Sequence, residues 1–489
     1  MIRLAQASLG LLAVTTLAAA RIAAEGADSP VSASATANAS ATANAASLLG
    51  AETFDAVWAT VRDSHWDPAL NGVDWDAVRA ELRPKAASAA TADDVRAVLA
   101  QALARLGQSH FGIIPADLAI EPAAAAVAHG EGEAADDGAT AGRRMRDGRS
   151  GASLAFLPRS PAADGWETVV VAVEPGSAAE TAGLEPGMRV VRIDGRDPAT
   201  RLPAGDGLER YERAAIAMAA ASGEPGASAG WTVTTSDDAE PRELTVAYRR
   251  DERPQVKFGT LPAMPTELTW RHLDETERER WGAGNHEIGL IGFNIWLIPV
   301  ARPFDLAMDT LRTADGIVID LRGNPGGIGA MAMGIAGHFT DAPEDLGEMR
   351  TRETAMRFAT NPRRTTADGK PTAPYAGPLA ILVDEGTAST SEIFAGGLQH
   401  LGRAKVFGAR TAGAALPAIM TPLPNGDVFL HAIADYRLPD GTALEATGVK
   451  PDNARPYDRA DYAREGDPAL AEAVRWIASQ PARRKTEAP

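Results

Sequence analysis

The chain has 489 residues, of which 45% are hydrophobic and 23% charged, a composition typical of soluble globular proteins of about three domains. Its formal net charge of −17 disfavours nucleic acid or an anionic membrane as a partner. Because the sequence contains no cysteine, disulfides, a thiol nucleophile and a cysteine zinc site are excluded.

The first residues have the pattern of an export signal. A positive start, Met1–Arg3, precedes the uncharged apolar run Ala7–Ala20, which is short for a membrane span, and small residues up to Ala24 offer cleavage sites. We therefore predict a signal peptide over residues 1–24 and an exported bacterial protein, periplasmic or extracellular, with no stable membrane span. Residues 25–48, built from Ala, Ser, Thr and Asn, are expected to form a disordered tether.

Residues 49–120 are predicted to form a helical N-terminal domain. An apolar stripe at helical spacing runs from Phe54 to Val61. Asp74 and Thr91 are expected to cap two further helices, and Gly107 to end the third.

Ser109 and His110 follow directly after this third helix. A histidine beside a hydroxyl at such a place is more often a hydrogen-bonded structural residue than a base. Of the eight histidines, His110 is nevertheless the best candidate for a general base. None of the others lies in an HExxH or similar spacing, so we expect no metal site and no cofactor.

Residues 121–150 are interpreted as a linker, and residues 151–255 as a small β-rich domain. The run VVVAVEPGSAAETAGLEPGMRVVRIDG, from Val169 to Gly195, resembles the PDZ domains of bacterial proteases. PDZ domains bind C-terminal peptides by adding a strand and holding the carboxylate on backbone N–H groups. The resemblance implies that the loop from Gly151 to Phe156 binds the carboxylate, and a PDZ domain that only packs is the alternative. The residues of this predicted peptide-binding loop are Gly151, Ala152, Ser153, Leu154, Ala155 and Phe156.

Strands and helices alternate over residues 256–470, which predicts a parallel or mixed α/β sheet followed by a C-terminal tail at 471–489. The buried strand GIVIDL ends in the glycine-rich turn RGNPGG, where backbone N–H groups can approach a ligand. A dinucleotide-binding loop is the rival interpretation. However, GxGxxG is absent and no Walker lysine follows, so the turn suits an oxyanion better.

A second strand-to-helix corner carries Ser389. The strand Leu379–Val383 is followed by small residues, and Thr390 to Glu392 have the pattern of a helix start. A serine at such a corner is exposed, and the N-terminus of the helix offers N–H groups and positive potential to an oxyanion. Taken alone, a helix cap in a turn of small residues is the simpler interpretation.

Three stretches together carry a family resemblance. GIVIDLRGNPGG, LVDEGTASTSEIFAGGLQHLGRAKVFGARTAG and LPDGTALEATGVKPD resemble the C-terminal-processing serine peptidases and their tricorn-core relatives, and the resemblance covers most of residues 50–455. It implies a crotonase-like (ClpP-like) α/β catalytic domain. It also implies a tail-specific serine endopeptidase whose partner is a peptide or protein substrate, with an oligomer left open.

The resemblance assigns the catalytic residues one at a time. Ser389 matches the nucleophile, and Ala414 stands where the Ser-Lys branch of the family has its lysine, which excludes that dyad. Ser109 and His110 match the Ser-His pair of the tricorn-like branch, and Glu445 matches its acid. His110 is then the base, with Ser109 and Glu445 orienting the imidazole. The implied oxyanion donors are the N–H groups of Gly326 or Gly327 and of Thr390.

Two other functions remain open at this point. One is a catalytically inactive peptide-binding or scaffold protein, and the other is a carrier of hydrophobic ligands, since related modules in retinoid-binding proteins share the fold. A complete set of Ser389, His110 and Glu445 argues against both, because a pure binder needs none of the three. Phe111 and the LEATG run depart from the family pattern without removing a functional group.

Overall fold

The N-terminal part of the chain is helical in the computed structural model, which describes residues 36–116, 148–159, 165–203, 205–257 and 263–481. The indole N–H of Trp58 donates to the carbonyl of Trp75, and the Trp75 indole donates to the carbonyl of Trp58, both at 3.0 Å. Asp74 and Thr91 cap their helices through their side chains, as the sequence predicts. The helices are α1 (Thr36–Ser64), α2 (Trp75–Ala87) and α3 (Ala92–Ala104), with a 3₁₀ turn at Leu70–Gly72.

Helix α1 corrects the predicted tether. It begins at Thr36, so the disorder expected through residue 48 is wrong for residues 36–48. Alanine, which is frequent there, has the highest helix propensity of all residues, and low hydrophobicity alone does not prevent a helix. The predicted signal peptide and residues 25–35 lie outside the described residues.

The strand that follows His110 joins the helical part to the rest of the chain. Strand β1 (Gly112–Ile114) pairs antiparallel with β20 (Val428–Ala432), which also pairs with β19 (Ala418–Pro422). The Arg96 guanidinium of α3 donates two hydrogen bonds, of 2.9 and 2.6 Å, to the buried Asp427 carboxylate at the start of β20. His110 is therefore fixed to the sheet by both a strand and an ion pair.

The middle of the chain forms a separate β-rich module with its own apolar core, and we call residues 148–250 the β-rich module. Its five-stranded sheet has the order β3-β4-β5-β7-β8, and a second, small sheet has the order β6-β2-β9. The elements are β2 (Gly148–Arg149), β3 (Ala152–Pro158), β4 (Trp166–Val173), α4 (Ala178–Thr181), β5 (Arg189–Ile193), a 3₁₀ turn (Pro198–Arg201), α5 (Glu209–Ala220), β6 (Ser222–Gly223), β7 (Ser228–Thr234), β8 (Arg242–Ala247) and β9 (Arg249–Arg250).

Two boundaries of this module differ from the prediction. Strand β2 begins at Gly148 and pairs with Ser222–Gly223, so the module starts before residue 151. The loop conformation predicted for Gly151 to Phe156 is wrong from Ala152 onwards, because β3 runs from that residue and pairs with β4, with Leu154 and Phe156 buried in the core. The predicted role of these residues in peptide binding stays a prediction. Buried and exposed side chains alternate around Leu154 and Phe156, which is the pattern of a β-strand and not of a loop. Most of the predicted linker, residues 121–147, lies outside the described residues, as do residues 117–120 at the end of the predicted helical domain.

The last part of the chain is an α/β layer, and the predicted α/β class with a helical N-terminal part is confirmed. Its sheet has the order β12-β13-β14-β17-β18, in which β12 is antiparallel and the other four strands are parallel. The remaining elements are β10 (Gln255–Val256), β11 (Met264–Pro265), β12 (Leu268–His272), α6 (Glu275–Arg280), β13 (Ile288–Phe293), a 3₁₀ turn (Ile298–Val300), α7 (Ala301–Leu311), β14 (Gly316–Asp320), α8 (Ala330–Ala336), β15 (Asp345–Arg350), β16 (Ala355–Ala359), β17 (Leu379–Val383), α9 (Thr390–His400), β18 (Lys405–Gly408), β21 (Asp435–Arg437), α10 (Arg459–Glu465) and α11 (Pro468–Ala478).

Helix α11 corrects the predicted C-terminal tail. Leu470, Val474 and Ile477 are buried against one face of the sheet, in a core they share with Val318 and Leu382. The three residues follow helical spacing, so the segment is amphipathic and belongs to the layer. Only residues 482–489 of the predicted tail lie outside the described residues. Among the described helices, none is long and apolar enough to cross a membrane.

The Arg96–Asp427 contact gives a stability prediction. In Arg96→Met the Asp427 carboxylate, whose side chain is 0% exposed, loses its cation, and such a loss costs about 3–5 kcal/mol. We expect a clear fall of the urea midpoint of unfolding. The control is Arg105→Met, which removes a half-exposed 3.4 Å pair with Glu81 and should cost about 0–1 kcal/mol. Equal losses in both variants would contradict the assignment of the contact as a main link.

Candidate active site

The corner between β17 and α9 holds Ser389 in a strained conformation. Its φ of 54° and ψ of −120° lie in a region that residues with a side chain rarely adopt. The backbone N–H donates to the carbonyl of Ala414 at 2.8 Å and to Oε2 of Glu392 at 3.1 Å. These contacts hold the turn sharp, and the partly exposed serine side chain stands at its apex.

The glycine-rich turn after β14 lies directly against this corner. A Cβ atom on Gly326, whose φ is 100°, would stand 2.6 Å from Cβ of Ser389 and 2.9 Å from the nitrogen of Thr390, so only glycine fits. The Gly326 N–H already donates to Oδ1 of Asn324 at 3.0 Å. Within the described ranges, the N–H groups of Gly327 and Thr390 donate to no protein acceptor. Of the three predicted oxyanion donors, these two are the ones available.

Glu445, Ser109 and His110 form a chain of hydrogen bonds. The Ser109 N–H donates to Oε1 of Glu445 at 2.6 Å, and the Ser109 hydroxyl donates to Oε2 at 2.9 Å. The same hydroxyl oxygen lies 2.7 Å from Nδ1 of His110. Among the described residues this is the one hydrogen bond of the ring, and no direct bond joins His110 to Ser389. The predicted base and acid are thus in contact through Ser109.

Two adjacent backbone groups bring this chain to the nucleophile. The Ala414 carbonyl accepts from the N–H of Ser389, and the next N–H, of Ala415, donates to Oε2 of Glu445 at 3.0 Å. Glu445 and Ser389 are therefore bonded to the two sides of one peptide group, the one between Ala414 and Ala415. The structure brings Ser389, Ser109, Glu445 and the glycine-rich turn together, with His110 attached through Ser109.

Burial shifts the proton affinities of the base and the acid in opposite directions. Removal from water lowers the pKa of His110 to about 4, because the charged imidazolium loses its hydration. The same effect raises the pKa of Glu445 to about 7, although the hydrogen bonds from Ser109 and Ala415 oppose it. At neutral pH the imidazole is neutral, as a base must be, and the acid titrates close to the working range.

Glu392 is a residue of the site that the sequence reasoning missed. Its buried carboxylate accepts four hydrogen bonds. One comes from Ser389, and three come from the next loop: the Gly413 N–H at 2.8 Å, the Ala414 N–H at 3.0 Å and the Thr411 hydroxyl at 2.5 Å. Burial raises its pKa to about 7. The sequence showed this residue only as an acid in the first turn of a helix, and a helix start explains such an acid without any long-range role.

Neither position 414 nor the lysine nearest to Ser389 in sequence supplies an alternative base. Ala414 is buried, and its backbone serves both Ser389 and Glu392. Lys405, the lysine nearest to Ser389 in sequence, is exposed on β18 and lies 5.9 Å from the ring of Trp476. A lysine that works as a base near neutrality must be desolvated, and Lys405 is not.

Two family models match separate parts of the chain. Residues 288–454 match Peptidase family S41, and residues 51–104 match the tricorn protease C1 domain. The first match contains Ser389 and Glu445 but begins long after Ser109 and His110 in the sequence. The second ends five residues before Ser109.

Curated relatives agree with these matches. The carboxyl-terminal-processing protease of Picosynechococcus sp. is 29% identical over 60% of this chain and 61% of its own. The chloroplastic carboxyl-terminal-processing peptidase 2 of Arabidopsis thaliana is 28% identical over 59% of this chain and 50% of its own. The aligned part thus spans about half to three fifths of each relative.

Solved structures share the fold. A photosystem II D1 C-terminal processing protease superposes with a TM-score of 0.50 and 20% identity, covering 88% of this chain and 98% of its own. Mature CPAF superposes with a TM-score of 0.53 and 14% identity, covering 88% and 96%. The resemblance drawn from the motifs is therefore confirmed: residues 288–454 match the model of peptidase family S41, and the chain is similar to the carboxyl-terminal-processing proteases.

Proposed function

We propose that this protein is a serine endopeptidase that cleaves peptides or unfolded protein tails, with Ser389 as nucleophile and His110 as base. The observation that carries the proposal is the hydrogen-bond chain from Glu445 through Ser109 to His110, bonded to the same loop as Ser389. The family S41 match and the curated relatives support the same activity.

The chain of hydrogen bonds determines which nitrogen of His110 accepts a proton. An ionised carboxylate only accepts hydrogen bonds, so the Ser109 hydroxyl must give its hydrogen to Glu445. Its oxygen can then only accept from His110, which places the ring hydrogen on Nδ1. Nε2 keeps a free lone pair, which is the requirement for a general base.

In the proposed reaction, Nε2 of His110 takes the hydroxyl proton of Ser389 as Oγ attacks the scissile carbonyl. The N–H groups of Gly327 and Thr390 stabilise the negative charge on the carbonyl oxygen. The imidazolium then protonates the leaving amine, and the C–N bond breaks to give an acyl-enzyme. Water deprotonated by His110 releases the acid and restores Ser389. The Glu445 carboxylate stabilises the imidazolium through Ser109 in both steps.

We further propose that the β-rich module binds the free C-termini of substrates. Strand β3 lies at the edge of the five-stranded sheet, so its outer N–H and C=O groups are open to a further strand. Helix α5 packs beside this edge. Gly151, with a φ of 82°, precedes the strand and remains the proposed place for the carboxylate.

The nucleophile is tested by labelling with a fluorophosphonate, which reacts covalently with activated serines. We expect the wild-type protein to be labelled and to cleave peptides. Ser389→Ala should fold but show neither reaction, since loss of a partly exposed hydroxyl leaves little cavity. Ser88→Ala, at the end of α2, serves as the control. Equal labelling of Ser389→Ala would refute the assignment. Applied to native protein, N-terminal sequencing of the labelled band also tests export, because a chain that begins at Met1 or Ile2 has kept its signal.

The pH profile tests the role of Glu445. A protonated Glu445 can donate to Ser109, which then donates to Nδ1 and moves the ring hydrogen to Nε2, so the base is lost. Since the pKa of Glu445 is about 7 and that of His110 about 4, kcat/KM should rise with pH through about 7.

The matched variant is Glu445→Gln. Its amide cannot ionise, so we expect a kcat lower by about 100-fold or more. Its residual activity should lack the limb near pH 7 and fall only at lower pH. A limb that stays near pH 7 in Glu445→Gln would mean that His110 itself titrates there.

Peptide substrates with two different ends test the docking proposal. A peptide with a free C-terminal carboxylate and the same peptide as an amide differ only in the group that Gly151 would receive. We expect the amide to have a higher KM and an unchanged kcat, because the carboxylate contact would contribute to substrate binding equally in the ground state and the transition state. Identical KM values would favour a module that only packs.

A further inference from the structure

Helix α5 of the β-rich module has two buried faces. Ala217 and Ala221 pack into the core of the module with Leu154 and Phe156. Tyr211, four residues before Ala215, faces the other way and packs in a second cluster with residues of the α/β layer. The helix thus belongs to the module on one side and to the candidate active site on the other.

Arg210 enters the site between two of its loops. Its Nε donates to the carbonyl of Thr411 at 2.9 Å, and its Nη2 donates to the carbonyls of Ala446 and Thr447 at 3.0 and 3.1 Å. Thr411 begins the loop that binds Glu392, whereas Ala446 and Thr447 follow Glu445 directly. With 2% of its side chain exposed, Arg210 joins the two loops from inside.

The backbone around the Arg210 guanidinium is closely packed. A Cβ atom on Gly413 would stand 2.9 Å from Nη2 of Arg210 and 2.8 Å from the carbonyl carbon of Ala446. The φ of Gly413 is 70°, and that of Ala446 is 57°. The backbone next to Glu445 is therefore held in a conformation that costs about 1–3 kcal/mol for a residue with a side chain.

Tyr211 fills the space on the other side of the 411–414 loop. Its ring packs on Ala388, Ala412 and Ala414, and the side chain is fully buried. Its hydroxyl has no hydrogen-bond partner among the described residues. A buried hydroxyl without a partner is unfavourable. The tyrosine at this position is therefore explained by the packing of its ring against Ala388, the residue that precedes Ser389.

We propose that Arg210 and Tyr211 are positioning residues of the active site, which makes helix α5 a part of the catalytic centre and not only of a docking module. The inference rests on the proposed function. Arg210 holds the peptide groups after Glu445, and so fixes the direction in which that carboxylate meets Ser109. Tyr211 supports the loop that receives the N–H of Ser389. A misplacement by about 1 Å of groups held in this way can cost about 100-fold in rate.

The experiment compares the buried Arg210 with the half-buried Arg403, which makes similar hydrogen bonds. Arg403, remote from the site, also donates to three carbonyls, those of Phe339, Tyr375 and Gly377, at 2.6 to 3.0 Å. Arg210→Met and Arg403→Met should both lower the thermal midpoint. Only Arg210→Met should lower kcat, by about 10- to 100-fold, with KM unchanged.

Fluorophosphonate labelling separates positioning from docking. The probe carries no peptide, so an effect through the docking surface would leave its rate unchanged. We expect labelling of Ser389 to slow by the same factor as kcat in Arg210→Met. Arg210→Lys, which keeps the charge and can reach one loop, should lose less. It also provides the measurement if Arg210→Met does not fold.

Three results would overturn the inference. The first is labelling of Arg210→Met at the wild-type rate. The second is a wild-type kcat in both Arg210→Met and Arg210→Lys. The third is a loss of kcat in Arg403→Met equal to that in Arg210→Met. Absence of labelling in the wild-type protein would instead overturn the proposed function, so the two failures can be told apart.

Discussion

The site is held together by one buried carboxylate. Each oxygen of Glu392 accepts two hydrogen bonds, and the four donors come from the nucleophile turn and from the loop at 411–414. A buried carboxylate is costly unless its lone pairs are satisfied, so neither segment can move away alone. Since the same loop binds Glu445 through Ala415, the positions of the nucleophile and the acid depend on each other.

Backbone strain is concentrated at this site. Six non-glycine residues in the described part of the chain have a positive φ, and three of these are His110, Ser389 and Ala446. Such conformations persist only where the surroundings hold them. Here the surroundings are specific: Ala414 and Glu392 hold Ser389, Arg210 holds Ala446, and the pairing of β1 with β20 begins two residues after His110. These three residues of the candidate site are thus held in strained conformations by contacts within the protein itself.

The sequence predicted local features better than distant contacts. The strand at Trp166–Val173, the caps at Asp74 and Thr91 and the α/β layer follow from patterns within a few residues, and these predictions agree with the structure. The role of Arg210 does not follow from any such local pattern, because its carbonyl partners lie 201 to 237 positions away in the sequence. Helix α5 itself was not predicted, although Tyr211 and Ala215 have helical spacing. In the alanine-rich residues 36–48 the low hydrophobicity predicts coil, whereas the high helix propensity of alanine agrees with the helix that is present.

The surroundings of Ala414 show why a lysine base at this position depends on more than one residue. Its carbonyl binds the N–H of Ser389, its N–H binds Glu392, and its methyl group is enclosed by Tyr211. Because Ala414 is buried, a lysine side chain at this position would have to displace neighbours from its cluster, which includes Tyr211. The predicted base is instead His110, two residues before β1, the strand that pairs with β20. The predicted nucleophile, the predicted base and helix α5 thus come from three parts of the chain. Helix α5 packs against the residues around Ser389, whereas His110 is attached to the site through Ser109 and Glu445.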